Sequence, residues 1–129
     1  MNHTSTLASL HDGRLLGFIV NDDEARVFVK TESGHALTLV LTGVKRFNVD
    51  GFAEGNIILD SELSTHPDVP TEFLVALNHG NAHEKRLGQL RTLVAENHYQ
   101  VFWIVPSYGA TVVALVKGLT IVEGASLTR

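Results

Sequence analysis

Histidines and carboxylates carry most of the chemistry open to this chain. Seven histidines are spread over 129 residues: His3, His11, His35, His66, His79, His83 and His98. Imidazole can serve as a metal ligand, a general base or a pH-sensitive charge. Only His79 and His83, in "NHGNAHEK", are close in sequence. Four residues apart on one helix, they would share a face and could share a metal ion. Gly80-Asn81 falls between them, where a helix boundary is expected, and the glutamate position of the His-Glu-x-x-His pattern is not filled. Two polar residues at helix ends would explain the pair as well. His11 stands beside Asp12 in "LHDG". A carboxylate next to an imidazole can orient it or raise its pKa. Adjacent residues of an extended chain point to opposite faces, however. Asp12-Gly13 is more simply a turn leading into the first strand.

The stretch "GFAEGNIILD" offers a second polar set. Strand alternation puts Ile57 and Leu59 on one face, and Asn56, Ile58 and Asp60 on the other. Asn56 and Asp60 form a candidate ligand-binding pair, and Gly55 suits a bulge that re-aims the strand. An Asn56 that serves only backbone groups would be structural; an Asn56 facing an open pocket with Asp60 would be a site. Asp60 and Glu62 share a strand face, with Glu54 nearby. Paired carboxylates can do acid–base work or hold a cation. On an outer strand they also keep an edge solvated. Tyr108, at a turn tip beside Pro106, is a candidate interface anchor, whereas Trp103 suits a core. Ser107 in "PSYGA" lacks the Gly-x-Ser-x-Gly pattern and sits at a hairpin tip. Phosphate-binding and dinucleotide-binding glycine loops are absent from the sequence. No catalytic residue and no cofactor is assigned; the candidate ligand-binding residues are His11, Asp12, Asn56, Asp60 and Tyr108.

The elements that must position these residues are mostly strands. "RLLGFIV", "ARVFVKT", "ALTLVLT", "VKRFNV" and "GNIILDSEL" are separated by short polar or glycine turns, and Asp50-Gly51 is a hairpin signal. Such connections predict a β-meander over residues 10–63. A helical segment is expected over 69–97. "TEFLVALNHG" suits a short helix through Phe73, Leu74 and Leu77, although residues 71–79 could also form a strand. Asn81 to Asn97 reads as a second helix, with Asn81 as cap and Glu84 completing a capping-box-like pair. A C-terminal β-hairpin spans 99–123, turning on Pro106 to Gly109. "LTIVEG" is either one more strand or a continuation past a glycine bulge. The tail from Ala125 to Arg129 is expected to fray.

Several strands are apolar on both faces, including those around Phe18, Trp103 and Val113. Two short helices can cover one side of a six- to eight-stranded sheet, so the other side needs a curled sheet, loops or a second copy. The expected fold is α+β: a strongly curved antiparallel sheet of about six to eight strands in a single domain, 1–129, with two helices before the last hairpin.

Composition narrows function further. Net charge is −4 and no basic patch is visible, which argues against nucleic-acid binding. The chain has no cysteine, which excludes disulfides and thiolate chemistry and is compatible with a reducing cytoplasm. Met1 to Leu10 lacks the pattern of a signal peptide. The most apolar stretch, Val101 to Val116, is interrupted and falls short of the ~20 residues that span a bilayer.

"LHDGRLLGFIV", "GVKRFNVDGFAEGNIILD" and "PSYGA" resemble small bacterial proteins of unknown function that begin with a Leu-His-Asp segment leading into an antiparallel sheet. Some similar proteins are immunity proteins that neutralise a partner toxin. The resemblance covers mainly the first half of the chain. It implies a compact α+β domain and a partner-binding role, and it carries over no catalytic residue. The function expected is a non-enzymatic interaction module that forms a homodimer through an apolar sheet face. The alternative is a small-molecule or metal-dependent enzyme using the histidines and the Asp60/Glu62 face.

Overall fold

Runs rich in Val, Leu, Ile and Phe favour pleated, half-buried backbone, and they account for the strands of the computed structural model, which describes residues 4–126. His3 and residues 127–129 lie outside the described residues. The strands are β1 (Arg14–Asn21), β2 (Glu24–Lys30), β3 (Ala36–Thr42), β4 (Arg46–Asp50), β5 (Asn56–Ser64), β6 (Gln100–Tyr108), β7 (Thr111–Val116) and β8 (Gly118–Glu123). They form one antiparallel sheet in the order β4-β7-β6-β5-β1-β2-β3-β8. The helices are α1 (Thr4–Ala8), α2 (Thr71–Leu77) and α3 (Glu84–Glu96). The chain is therefore α+β, and among the described residues no helix is long and apolar enough to cross a membrane.

The meander holds for β1, β2 and β3, then breaks. β4 does not pair with β5. It pairs with β7, from Arg46 opposite Leu115 to Asp50 opposite Thr111. Gly51 does turn the chain, with φ of +80°. Residues 51–55 must be crossed before β5 starts, whereas a tight hairpin uses a loop of about two residues. β5 instead lies between β1 and β6. The segment "LTIVEG" is a separate strand. After the single residue Lys117, β8 leaves β7 and pairs with β3, from Thr42 opposite Gly118 to Leu37 opposite Glu123. Backbone bonds from Lys117 to Thr42 (2.8 Å) and from Lys45 to Leu115 (2.8 Å) join the β3–β8 ladder to the β4–β7 ladder.

Residues 71–77 are helical, as Phe73, Leu74 and Leu77 at helical spacing suggest. α3 begins later than expected. His83 occupies its N-cap position, and the Asn81 side-chain oxygen accepts the His83 N–H (2.9 Å) in a turn that precedes the helix. α1 was not expected, because five residues are too few to show a helical period.

Apolar residues on the two faces of β6 and β7 build two clusters. On one face, Phe102, Ile104, Val112 and Ala114 join Val27, Leu39 and Ile58 with Leu7 and Leu10 from the N-terminal segment. On the other, Val101, Trp103, Val113 and Leu115 pack under Leu74, Leu77, Leu90 and Val94 of α2 and α3. Phe73 stacks on Trp103 with ring centroids 4.6 Å apart. The Arg91 guanidinium donates to the carbonyls of Pro67 (2.8 Å) and Val69 (3.2 Å) and to Thr71 Oγ1 (3.2 Å), tying α3 to the linker before α2. The start of the tail is held rather than frayed. Buried Arg26 pairs with Glu24 (2.8 Å) and donates to the Ser126 carbonyl and hydroxyl, both at 3.0 Å. The Ser126 N–H donates to Thr38 Oγ1 (2.9 Å).

Candidate functional site

Asn56 begins β5 and is buried. A primary amide offers two donors and two acceptor lone pairs, and here all four are used. Oδ1 accepts the N–H groups of Ala53 (2.8 Å) and Ala110 (3.1 Å). Nδ2 donates to the carbonyls of Ala53 (2.8 Å) and Leu15 (3.4 Å). All of its partners are backbone, so Asn56 is a structural clamp and not a ligand-binding group. It holds the 51–55 loop, the start of β1 and the β6–β7 turn together. That turn depends on Gly109, whose φ is +94° and whose missing Cβ leaves room for the Asn56 amide and Cα.

Asp60 does not join Asn56. The β5–β6 register shifts between Ile57 and Ile58 and again between Ile58 and Asp60. A bulge reverses the facing of every later residue. Asn56 is buried and Ile58 belongs to the first core cluster, whereas exposed Asp60 and Glu62 stand opposite Val105 and Trp103. Asp60 and Glu62 do share one side, as their spacing suggests. The bulge falls at Leu59, four residues after Gly55, the residue suited to one by sequence.

His11 and Asp12 are brought together, although neighbours in an extended strand would not be. The reason is that Asp12 is not extended: its φ is +64°, a conformation that Asp tolerates better than most residues. Its N–H donates to the Ile58 carbonyl (2.8 Å). His11 Nδ1 lies 2.6 Å from the Leu59 carbonyl. A carbonyl can only accept, so Nδ1 carries a proton. Nε2 is then left 3.5 Å from Asp12 Oδ2. The Leu59 carbonyl first, and the Asp12, Glu32 and Asp60 carboxylates after it, raise the His11 pKa above its ordinary 6.5. The ring lines an open concavity of about 480 Å³ with Ser9, Thr31, Glu32, Ser33, His35 and Leu37.

Tyr108 is half exposed and donates its hydroxyl to Glu54 Oε1 (3.1 Å). Glu54's own backbone N–H, together with that hydroxyl, lowers the Glu54 pKa, and the same contact raises that of Tyr108. The pair closes the 51–55 loop against the β6–β7 turn. His79 and His83 line a second concavity of about 480 Å³ with Asn78, Asn81 and Arg86. His79 sits past the end of α2 with φ of +56°, so the pair does not share one helix face. Arg86 places a cation in the same concavity, and among the described residues no group of three or more His, Asp or Glu side chains is placed to hold a metal ion.

One surface was missed by reasoning from chemistry-bearing residues. β1 pairs with β2 along its whole length, but with β5 only through Arg14 and Leu15. Beyond the Leu16 bulge, no strand among the described residues pairs with its second edge. Leu16, Phe18, Ile19 and Val20 are between 38% and 51% exposed. Phe52, also exposed, meets Phe18 edge-on at 5.7 Å, and the Phe47 ring, tilted against Phe18, lies 5.6 Å away. The signal for this surface was the two-sided apolar character of "LLGFIV". Comparison with protein-family models, curated proteins and solved structures finds no match for this chain.

Proposed function

We propose that the chain is a non-enzymatic interaction module that docks a polypeptide on the outer part of β1. The observation that carries this is an open strand edge flanked by four exposed apolar side chains, Leu16, Phe18, Ile19 and Val20. Unpaired strand edges are ready templates for another strand, and proteins ordinarily blunt them with charge or cover them. Between Leu16 and Val20 there is no charged residue. The N-terminal half resembles small bacterial proteins of unknown function, some of them immunity proteins that bind a partner, and a cysteine-free chain fits a cytoplasmic setting.

We also infer that the sheet is strongly curved. Val27 and Leu39 of β2 and β3 share one apolar cluster with Phe102 and Val112 of β6 and β7, and Lys117 alone links β7 to β8. The curl protects β6 and β7 and leaves the end of β1 outside.

A second proposal, a small-molecule or metal-dependent enzyme, has one observation in its favour: His11 and His35 line the same concavity as Glu32. Asp60 and Glu62 do not line it. Stoichiometric zinc in purified protein would establish that alternative.

The docking surface is tested with Ile19→Lys/Val20→Lys. Both side chains are exposed, so the variant should keep its far-ultraviolet spectrum and lose the binding of a fluorescent apolar-surface probe to dilute protein. Equal probe binding by the two proteins would overturn the proposal.

A further inference from the structure

The open part of β1 runs from Gly17 to Asn21, with Ile19 at its midpoint. Phe18 and Val20 stand opposite Val27 and Ala25, on the side of the first core cluster; Ile19 stands opposite Arg26, on the other side. An antiparallel copy of this edge placed on itself is complementary at each step. Ile19 meets Ile19 of the second copy on the two-fold axis. Phe18 meets Val20 of the second copy on one side, and Val20 meets Phe18 in return. Gly17 meets Asn21. Such apolar cross-strand pairs stabilise an antiparallel ladder, and a two-fold contact requires this self-complementarity.

Charge selects the same occupant. The turn after β1 carries Asp22 and Asp23, and the other end of the strand carries Arg14. Among the described residues none of the three belongs to an ion pair. Antiparallel pairing centred on Ile19 points the acidic turn of each copy toward the end of the other's β1 that carries Arg14, where β5 already pairs with that strand. A parallel arrangement would set acidic turn against acidic turn. An unrelated strand would have to supply a basic group at one end and an acidic group at the other to match.

Resting on the docking surface proposed above, we infer that its occupant is a second copy of this chain, joined edge to edge through antiparallel pairing of residues 17–21 about a two-fold axis at Ile19. The two sheets become one across the contact. Phe52, beside Phe18, extends the apolar surface at its margin.

The absence of cysteine makes the test direct. Directly opposed residues of an antiparallel pair have Cα atoms about 4.5–5.5 Å apart, within the range of about 4.4–6.8 Å that a disulfide spans. Ile19→Cys should therefore cross-link to a dimer on mild oxidation, whereas Thr92→Cys, on the exposed side of α3, should remain monomeric. By light scattering at tens of micromolar, the unmodified chain should show twice its chain mass. Ile19→Lys should show one. Arg14→Glu should weaken the dimer about tenfold, since two symmetry-related surface pairs are lost together, and Arg14→Glu/Asp23→Lys should recover most of that loss. A wild-type monomer at these concentrations, or cross-linking of Ile19→Cys no faster than of Thr92→Cys, overturns the second-copy inference. The docking surface itself falls only if the Ile19→Lys/Val20→Lys variant also keeps its apolar-probe binding, so the two failures are separable.

Discussion

Asn56 joins three segments with one amide, and none of its hydrogen-bonding capacity is left for a ligand. Removing it strands the N–H groups of Ala53 and Ala110. Leaving a buried donor without a partner costs about 1–3 kcal/mol, so Asn56→Ala is expected to lower stability by about 2–4 kcal/mol, read as a lower urea midpoint with an unchanged slope. Asn56→Asp should be at least as damaging, because a carboxylate would face the Ala53 and Leu15 carbonyls with nothing to donate. That Asn56 was a special residue was legible in "EGNIILD", where an amide enters an apolar run. Its role was not, because Leu15 and Ala110 are distant in sequence. His11 gives a prediction of a different kind. Its folded pKa is raised above the unfolded value of 6.5. The stability that it contributes is therefore fully present below that value and is lost as pH rises through the folded pKa. A proton NMR titration of the His11 ring should give a midpoint above 6.5, and His11→Gln should remove that part of the pH dependence. The ring is solvent-exposed, so the effect on stability is small. A midpoint at or below the ordinary value would show that the Leu59 carbonyl and Asp12 do not favour the charged ring.

At the scale of elements, local patterns were readable and long-range pairings were not. The β1–β2–β3 meander and the β6–β7 hairpin follow from short turns between alternating runs, and α2 and α3 follow from their helical spacing. The partner of β4 could not be read that way, since "VKRFNV" pairs equally well with either apolar neighbour on pattern alone. What decides it is the chain after Gly51, where Phe52 and Asn56 dock onto β1 and the β6–β7 turn. The Leu59 bulge was equally hidden: no glycine marks it, and its effect is to part Asn56 from Asp60. The helical layer offers the clearest test at this scale. Leu74 is fully buried between α2 and the sheet. Truncating such a leucine leaves a cavity and costs about 2–5 kcal/mol. Leu74→Ala is expected to fall in that range by urea denaturation and to perturb the emission of Trp103, which stacks on Phe73 one residue away. A cost below the cost of a surface mutation would mean that α2 is only loosely docked.

For the molecule as a whole, the decisive feature is that β6 and β7 belong to both apolar clusters at once. Phe102 and Val112 face one cluster, while Trp103 and Val113, the next residues along each strand, face the other. Neither cluster can come apart without disturbing the strands on which the other is built. The two-sided apolar pattern in "QVFWIV" and "TVVALV" announced this sharing, although it could not say what would cover each face. The expected consequence is one cooperative transition. The protein has a single tryptophan, and it reports on the helical side. Far-ultraviolet circular dichroism is dominated by a sheet that includes strands remote from it. In urea the two signals should give the same midpoint and slope, as expected for a small domain that unfolds in an all-or-none manner. If the Trp103 transition came first, α2 and α3 would form a separately melting layer, and the shared strands would not couple the two clusters.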